Sequence, residues 1–180
     1  MKIRRVVTGH TPEGKATIAS DELVDPQVLS MLPETEFNTL WGSDTACTFP
    51  DEGSPHPLAT HFPPVGGFRF SVISIPPDSV KPAEGLDMEA ALKEADQKVP
   101  GLLAHMDTNN PGMHVSDTID FEYIISGEVV LELDDGVEVR LRAGDTLVQN
   151  GTRHAWRNRG SEPCRMVCCL IGAHRMGPRK

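Results

Sequence analysis

Apolar and polar residues alternate with a period of two along much of the chain, which is the pattern of half-buried β-strands. It is found at 3–7 (IRRVV) and 16–20 (ATIAS), with Pro12 and Gly14 marking a turn between them. It returns at 37–42 (FNTLWG) and at 68–75 (FRFSVISI), where Pro76 and Pro77 end the strand. Residues 21–36 are polar and read as loop. Residues 48–67 are dense in Pro, Gly and His, and a connection of that length is either functional or mobile.

One stretch has helical periodicity. Residues 86–97 (LDMEAALKEADQ) offer Asp87 as N-cap and an apolar face of Leu86, Ala90, Ala91, Leu92 and Ala95, with Pro100–Gly101 as the stop. From Phe121 onward the pattern is β throughout. Strands are expected at FEYIIS, VVLEL, VEVRLR, TLVQ, 154–159 and 164–171, punctuated by Gly127–Glu128, Asp134–Asp135–Gly136, Ala143–Gly144–Asp145 and Gly151. The Asp–Gly pair is a strong hairpin signal. Short strands at this spacing indicate a sandwich or barrel.

Composition narrows the picture. The 180 residues suit one domain, and 16 glycines with 15 prolines favour turns over long helices. A net charge of −9 argues against a nucleic-acid partner, because backbone phosphates require a basic field. The basic residues Lys2, Arg4 and Arg5, and Arg175, Arg179 and Lys180, read as solvated ends. No apolar run approaches the ~20 residues that cross a bilayer, and the N-terminus lacks the apolar core of a signal peptide. Cys47, Cys164, Cys168 and Cys169 show no metal-type pairing, so free thiols and a cytoplasmic location are expected, with no membrane association.

Two segments resemble the cupin motifs. Residues 112–128 (GMHVSDTIDFEYIISGE) are similar to the first, which runs His-x-His, three or four residues, Glu, six residues, Gly. Setting its glycine on Gly127 puts Asp120 at the glutamate position, His114 at the first histidine and Ser116 at the second. Residues 144–158 (GDTLVQNGTRHAWRN) resemble the second motif through Gly144, Gly151, His154 and Asn158, with Gln149 where the family usually has proline. The resemblance implies an all-β fold: a double-stranded β-helix, or cupin jelly-roll barrel, with extra N-terminal strands and one short helix. It divides the chain into N-terminal strands, loop and helix over 1–110, a barrel core over 111–173 and a basic tail over 174–180. It also implies a homodimer.

The cupin motif residues bind a divalent metal inside the barrel. Carried onto this chain, the ligand set is His114, Asp120 and His154, able to hold Fe, Mn, Zn or Ni with positions open for substrate. Ser116 in place of the second histidine weakens that site or leaves it empty. Alternate residues on a strand share a face, so Asp120 and Glu122 point inward together, as do His154 and Trp156, and His114 and Ser116. A buried carboxylate is costly unless paired or ligating, which makes Glu122 either a substitute ligand or a proton-transfer group. Ser116, Trp156 and Asn158 complete the expected substrate pocket.

Plainer readings stand beside these. His114 and His154 can be satisfied core histidines, Asp120 a turn cap, Glu122 a solvent-facing residue after a one-residue register slip, and Trp156 and Asn158 packing and turn groups. His56, His61 and His105 can gather at the barrel mouth or simply be solvated. The favoured function is a metal-dependent enzyme acting on a small oxygen-rich metabolite by lyase or isomerase chemistry, with Glu122 catalytic. The alternatives are an Fe(II) dioxygenase on the same ligands, a non-catalytic small-molecule binder, and a metal-free isomerase with a histidine base.

Overall fold

The computed structural model describes residues 1–178; Arg179 and Lys180, the end of the basic tail, lie outside the described residues. The chain opens with a hairpin of β1 (Ile3–His10) and β2 (Ala16–Val24), followed by β3 (Gln27–Leu29), β4 (Leu32–Ser43) and β5 (Phe68–Ile75). Helix α1 (Met88–Lys98) and a single 3-10 turn precede β6 (Thr118–Ser126), β7 (Glu128–Glu132), β8 (Glu138–Arg142), β9 (Thr146–Gln149), β10 (Ala155–Arg157) and β11 (Cys164–Gly172). A six-stranded sheet in the order β3-β4-β5-β11-β6-β9 faces a three-stranded sheet in the order β10-β7-β8, and β1-β2 form a separate ribbon. This is an all-β jelly roll with one helix.

The expected loop over 21–36 is a correction. Those residues finish β2, form β3 and begin β4. Beyond the alternating residues 16–20, β2 remains largely exposed, so neither face is required to be apolar and no alternation marks its second half.

The helix begins as its cap predicts, with the Asp87 side chain accepting from the Ala90 N–H at 3.1 Å. Ala91 and Ala95 are buried, while Leu92 and Ala90 face water, so its apolar stripe is narrower than the sequence suggests. Ala95, Val99 and Leu102 pack with Leu29 and Phe37 in one cluster; a second cluster of Ile124, Val129, Leu141, Met166, Cys168 and Leu170 fills the barrel.

The long loop before β5 is tied down. Arg69 is 2% exposed and donates to the carbonyls of Ser43 (3.0 Å) and Thr60 (2.7 Å) and to the carboxylate of Asp44. The His61 N–H donates to the Pro100 carbonyl at 2.7 Å, fastening the loop to the end of the helix region. Loop residues His61 and Phe62 are thereby delivered to the barrel.

Strand β6 keeps period two without a slip: Thr118, Asp120, Glu122 and Ile124 are buried, while Phe121, Tyr123 and Ile125 are exposed. Its end depends on Gly127, which sits at φ +74 with the Pro163 carbonyl oxygen 2.5 Å from where a Cβ would be. The following hairpin turns through Asp135 (φ +57) and Gly136 (φ +71), the left-handed pair an Asp–Gly turn supplies. All four cysteines are free thiols. Among the described residues no helix is long and apolar enough to cross a membrane.

Candidate functional site

The barrel encloses a cavity of about 180 Å³. Thr35, His61, His114, His154, Asp120 and Glu122 supply its polar lining; the rest is largely apolar, with Phe37, Phe62, Ile73, Ile75, Leu102 and Trp156 prominent.

The histidines are placed by backbone. His114 and His154 form an isolated bridge in which each N–H donates to the other's carbonyl, at 2.9 and 3.0 Å. Their rings consequently lie 4.1 Å apart at 51°. The Nδ1 of His114 faces the Gly112 carbonyl at 3.1 Å, and the Nδ1 of His154 faces the Thr152 carbonyl at 2.9 Å. A carbonyl can only accept, so each Nδ1 carries the proton and each Nε2 keeps its lone pair. Burial brings His154 down to about 3, with His114 adding to the fall and the Thr152 carbonyl opposing it. Burial likewise lowers His114. Both rings are neutral at physiological pH.

The carboxyl groups are placed by strand parity. Across β6, Glu122 pairs with Cys168 on β11 and Leu147 on β9, and Asp120 pairs with Leu170 and Gln149. Asp120 is 4% exposed and Glu122 8%. Oδ1 of Asp120 and Oε2 of Glu122 are buried without a hydrogen-bond partner, as is Nε2 of Gln149. Burial lifts Asp120 to about 6 against a Thr118 hydrogen bond that pulls it down. Burial first, and then the Asp120 charge, lift Glu122 to about 8. Burial, Glu122 and Asp120 also push the Cys168 thiol far up, so it stays protonated.

Two expected pocket residues lie elsewhere. Ser116 is fully buried outside the cavity, its hydroxyl accepting from Thr118 Oγ1 at 2.7 Å. The chain is not yet a strand at 115–117, so the parity argued from His114 does not carry across to it. Asn158 is also absent from the cavity wall: its Nδ2 donates to the carbonyls of Ile75 and Glu162, each at 2.9 Å, and its Oδ1 accepts from the Gly160 N–H. It is a loop tie. Trp156 lines the cavity edge-on to His154, with ring centroids 5.6 Å apart.

The sequence reading missed the N-terminal wall. Leu32, Thr35 and Phe37 of β4, Ile73 and Ile75 of β5, and Leu102 and Met106 after the helix all face the cavity. Strand alternation placed Phe37, Ile73 and Ile75 on one face, but nothing local said that this face closes the barrel. Among the mouth histidines, His61 lines the cavity, brought down to about 4 by burial, Arg69, His114 and His105. His105 stacks on Phe62 at 4.4 Å with its Nδ1 at the Val115 carbonyl, and His56 lies apart, beside Trp41.

The donor types suit a divalent ion: two imidazole Nε2 lone pairs and orphaned carboxyl oxygens. Their arrangement does not. Among the described residues no three His, Cys, Asp or Glu side chains are gathered so as to hold one ion. His114 and His154 stand together, and Asp120 does not join them in a common sphere.

Comparison with known proteins places this geometry. The family model for the cupin domain (Cupin_2) matches residues 107–170. "Phomopsin biosynthesis cluster protein C'" of Diaporthe leptostromiformis is 47% identical over 47 residues, 26% of this chain and 25% of that protein. "Cupin-domain-containing oxidoreductase srdD" of Neurospora crassa is 28% identical over 134 residues, 67% of this chain and 65% of that protein. "Cupin-domain-containing oxidoreductase virC" of Hypocrea virens is 37% identical over 62 residues, 33% of this chain and 32% of that protein. The match thus spans about a quarter of the length of the first of these relatives. Among solved structures, the Schizosaccharomyces pombe Cnp3 cupin domain aligns over 96% of this chain and 89% of its own at 12% identity and TM-score 0.49. The matched stretch contains His114, His154 and both carboxyl groups of the cavity, and residues 107–170 are similar to the cupin domain within a jelly-roll barrel.

Proposed function

We propose that the cavity is the active site of an enzyme that moves protons on a small carbonyl metabolite, an isomerase or lyase. The observation that carries this reading is the pair of carboxyl groups, Asp120 and Glu122, buried on the same face of β6 and lining the cavity, each with an unpartnered oxygen. Near neutral pH such a pair holds one proton between its members, giving a base and an acid within one site.

The roles follow from the two environments. The Asp120 carboxylate takes a proton from the carbon next to the substrate carbonyl. The Glu122 carboxyl gives its proton to the carbonyl oxygen, so the intermediate is a neutral enol and no charge accumulates in the largely apolar cavity. Reversal on a different carbon completes an isomerisation. Nε2 of His114 and His154 accepts a hydrogen bond from a substrate hydroxyl and orients it.

An oxidoreductase is the second reading, favoured by the names of the srdD and virC relatives. It calls for a redox-active ion at the histidine pair, and the ligand positions do not supply a third donor.

Deuterium exchange separates the two. Incubation with a panel of small carbonyl compounds in D₂O, read by NMR, should show exchange beside the carbonyl that Glu122→Gln slows by about 10²–10⁴-fold. Stoichiometric iron with substrate-dependent oxygen uptake and no exchange would establish the oxidoreductase instead.

A further inference from the structure

We propose that the cavity admits an uncharged, largely apolar carbonyl compound about one ring in size and turns away carboxylates and phosphates. This rests on reading the cavity as the active site, and it narrows the oxygen-rich metabolite expected from the sequence.

Charge is the first argument. Among the described residues no lysine or arginine lines the cavity. The nearby guanidinium groups are engaged elsewhere: Arg69 with Asp44 and the Thr60 and Ser43 carbonyls, Arg153 with Asp107 and Asp134, and Arg157 with Glu132. An anionic ligand would enter beside two carboxyl groups with no cation to meet it, and burying an unpaired charge costs several kcal/mol or more. A neutral carbonyl or hydroxyl oxygen meets the polar side chains of the lining without that cost.

Shape is the second. An apolar cavity of about 150 Å³ holds a benzene molecule, and this one measures about 180 Å³. The surplus suits a single ring with one small polar substituent. Aromatic rings stand along the walls: Phe37 and Trp156 from strands, and Phe62 from the pinned loop. The Phe62 ring lies 6.4 Å from that of His114. Ile75 of β5 also lines the cavity.

Calorimetric titration of the full chain at neutral pH, with acetophenone, benzoate and pyruvate as probes, tests the proposal. Acetophenone should bind at least about tenfold more tightly than either anion, a difference of about 1.4 kcal/mol. Ile75→Trp, which fills the cavity, should weaken acetophenone by a similar factor or more. Phe62→Ala, a change in a loop side chain, should shift preference toward the two-ring 2-acetonaphthone, and it keeps the test open if the Ile75 variant fails to fold. Equal or tighter binding of benzoate or pyruvate, no binding of acetophenone, or no effect of either variant on ring size would overturn it. Binding is read here without turnover. Acetophenone bound but never exchanged would sink the proton-transfer reading alone, whereas exchange restricted to charged substrates would sink this inference alone.

Discussion

The imidazole rings of His114 and His154 are held 4.1 Å apart by hydrogen bonds that neither side chain makes. The two residues trade backbone N–H and carbonyl groups at 2.9 and 3.0 Å, so the pairing outlasts removal of either ring. His114→Ala and His154→Ala should therefore fold. His154 is the more buried, and its loss should cost about 1–3 kcal/mol in denaturant unfolding. Exchange activity should fall by about tenfold or more in both variants. A variant that keeps full activity would remove the rings from the chemistry.

Stability should depend on pH with a definite sign. Glu122 is raised in the fold to about 8 from an ordinary 4.5, so the folded chain holds a proton that the unfolded chain releases. Stability then falls as pH rises through that interval. His154 and His61, lowered to about 3 and about 4 from 6.5, act in the opposite sense, but only below pH 6.5. Between pH 6.5 and about 8 the carboxyl effect stands alone, and thermal midpoints should drop across it. Glu122→Gln should flatten that slope. A wild-type profile level from pH 6.5 to 8 would mean that Glu122 is not buried as described.

Asn158 separates structure from chemistry. Its side chain ties the Ile75 and Glu162 carbonyls and the Gly160 N–H, away from the cavity. Asn158→Ala should cost about 1–3 kcal/mol through buried groups left unpaired, with acetophenone affinity unchanged in the folded fraction. A specific loss of affinity at undiminished stability would restore it to the pocket.

Arg69 holds the loop that carries His61 and Phe62 into the cavity. Arg69→Gln should raise amide exchange over 58–67 by about tenfold or more, because local opening there no longer breaks the guanidinium's hydrogen bonds. Ligand affinity should weaken with it. Unchanged exchange would show that other contacts hold the loop.

Legibility from sequence followed the local physics. Period-two alternation is a property of the strand itself, and it put Asp120 and Glu122 on one buried face of β6 before any tertiary contact was considered. Asp87 likewise announced the helix through a bond only three residues long. Ser116 failed because parity was extended across residues that are not strand, and Asn158 because a matching motif position says nothing of where an amide points. The second half of β2 and the three-residue β3 stayed hidden because a strand exposed along most of its length need not alternate and three residues are too few to show a period. The apolar wall was the hardest part: His61, Phe62, Leu102 and Met106 come from irregular segments, brought together by Arg69, the Pro100 carbonyl and the helix rather than by any repeat.

Half of the residues around the cavity, including Phe37, Phe62, Ile75 and Leu102, fall outside the 107–170 stretch that carries His114, His154 and both carboxyl groups. The groups proposed to react thus lie on one length of chain, whereas the apolar wall is drawn from both. A fragment cut to the matched stretch would be a bowl open on one side, keeping its acids and bases but with water in place of the ring-shaped guest. Grafting a different N-terminal half onto the same barrel would, by the same logic, change the guest and leave the reaction as it was.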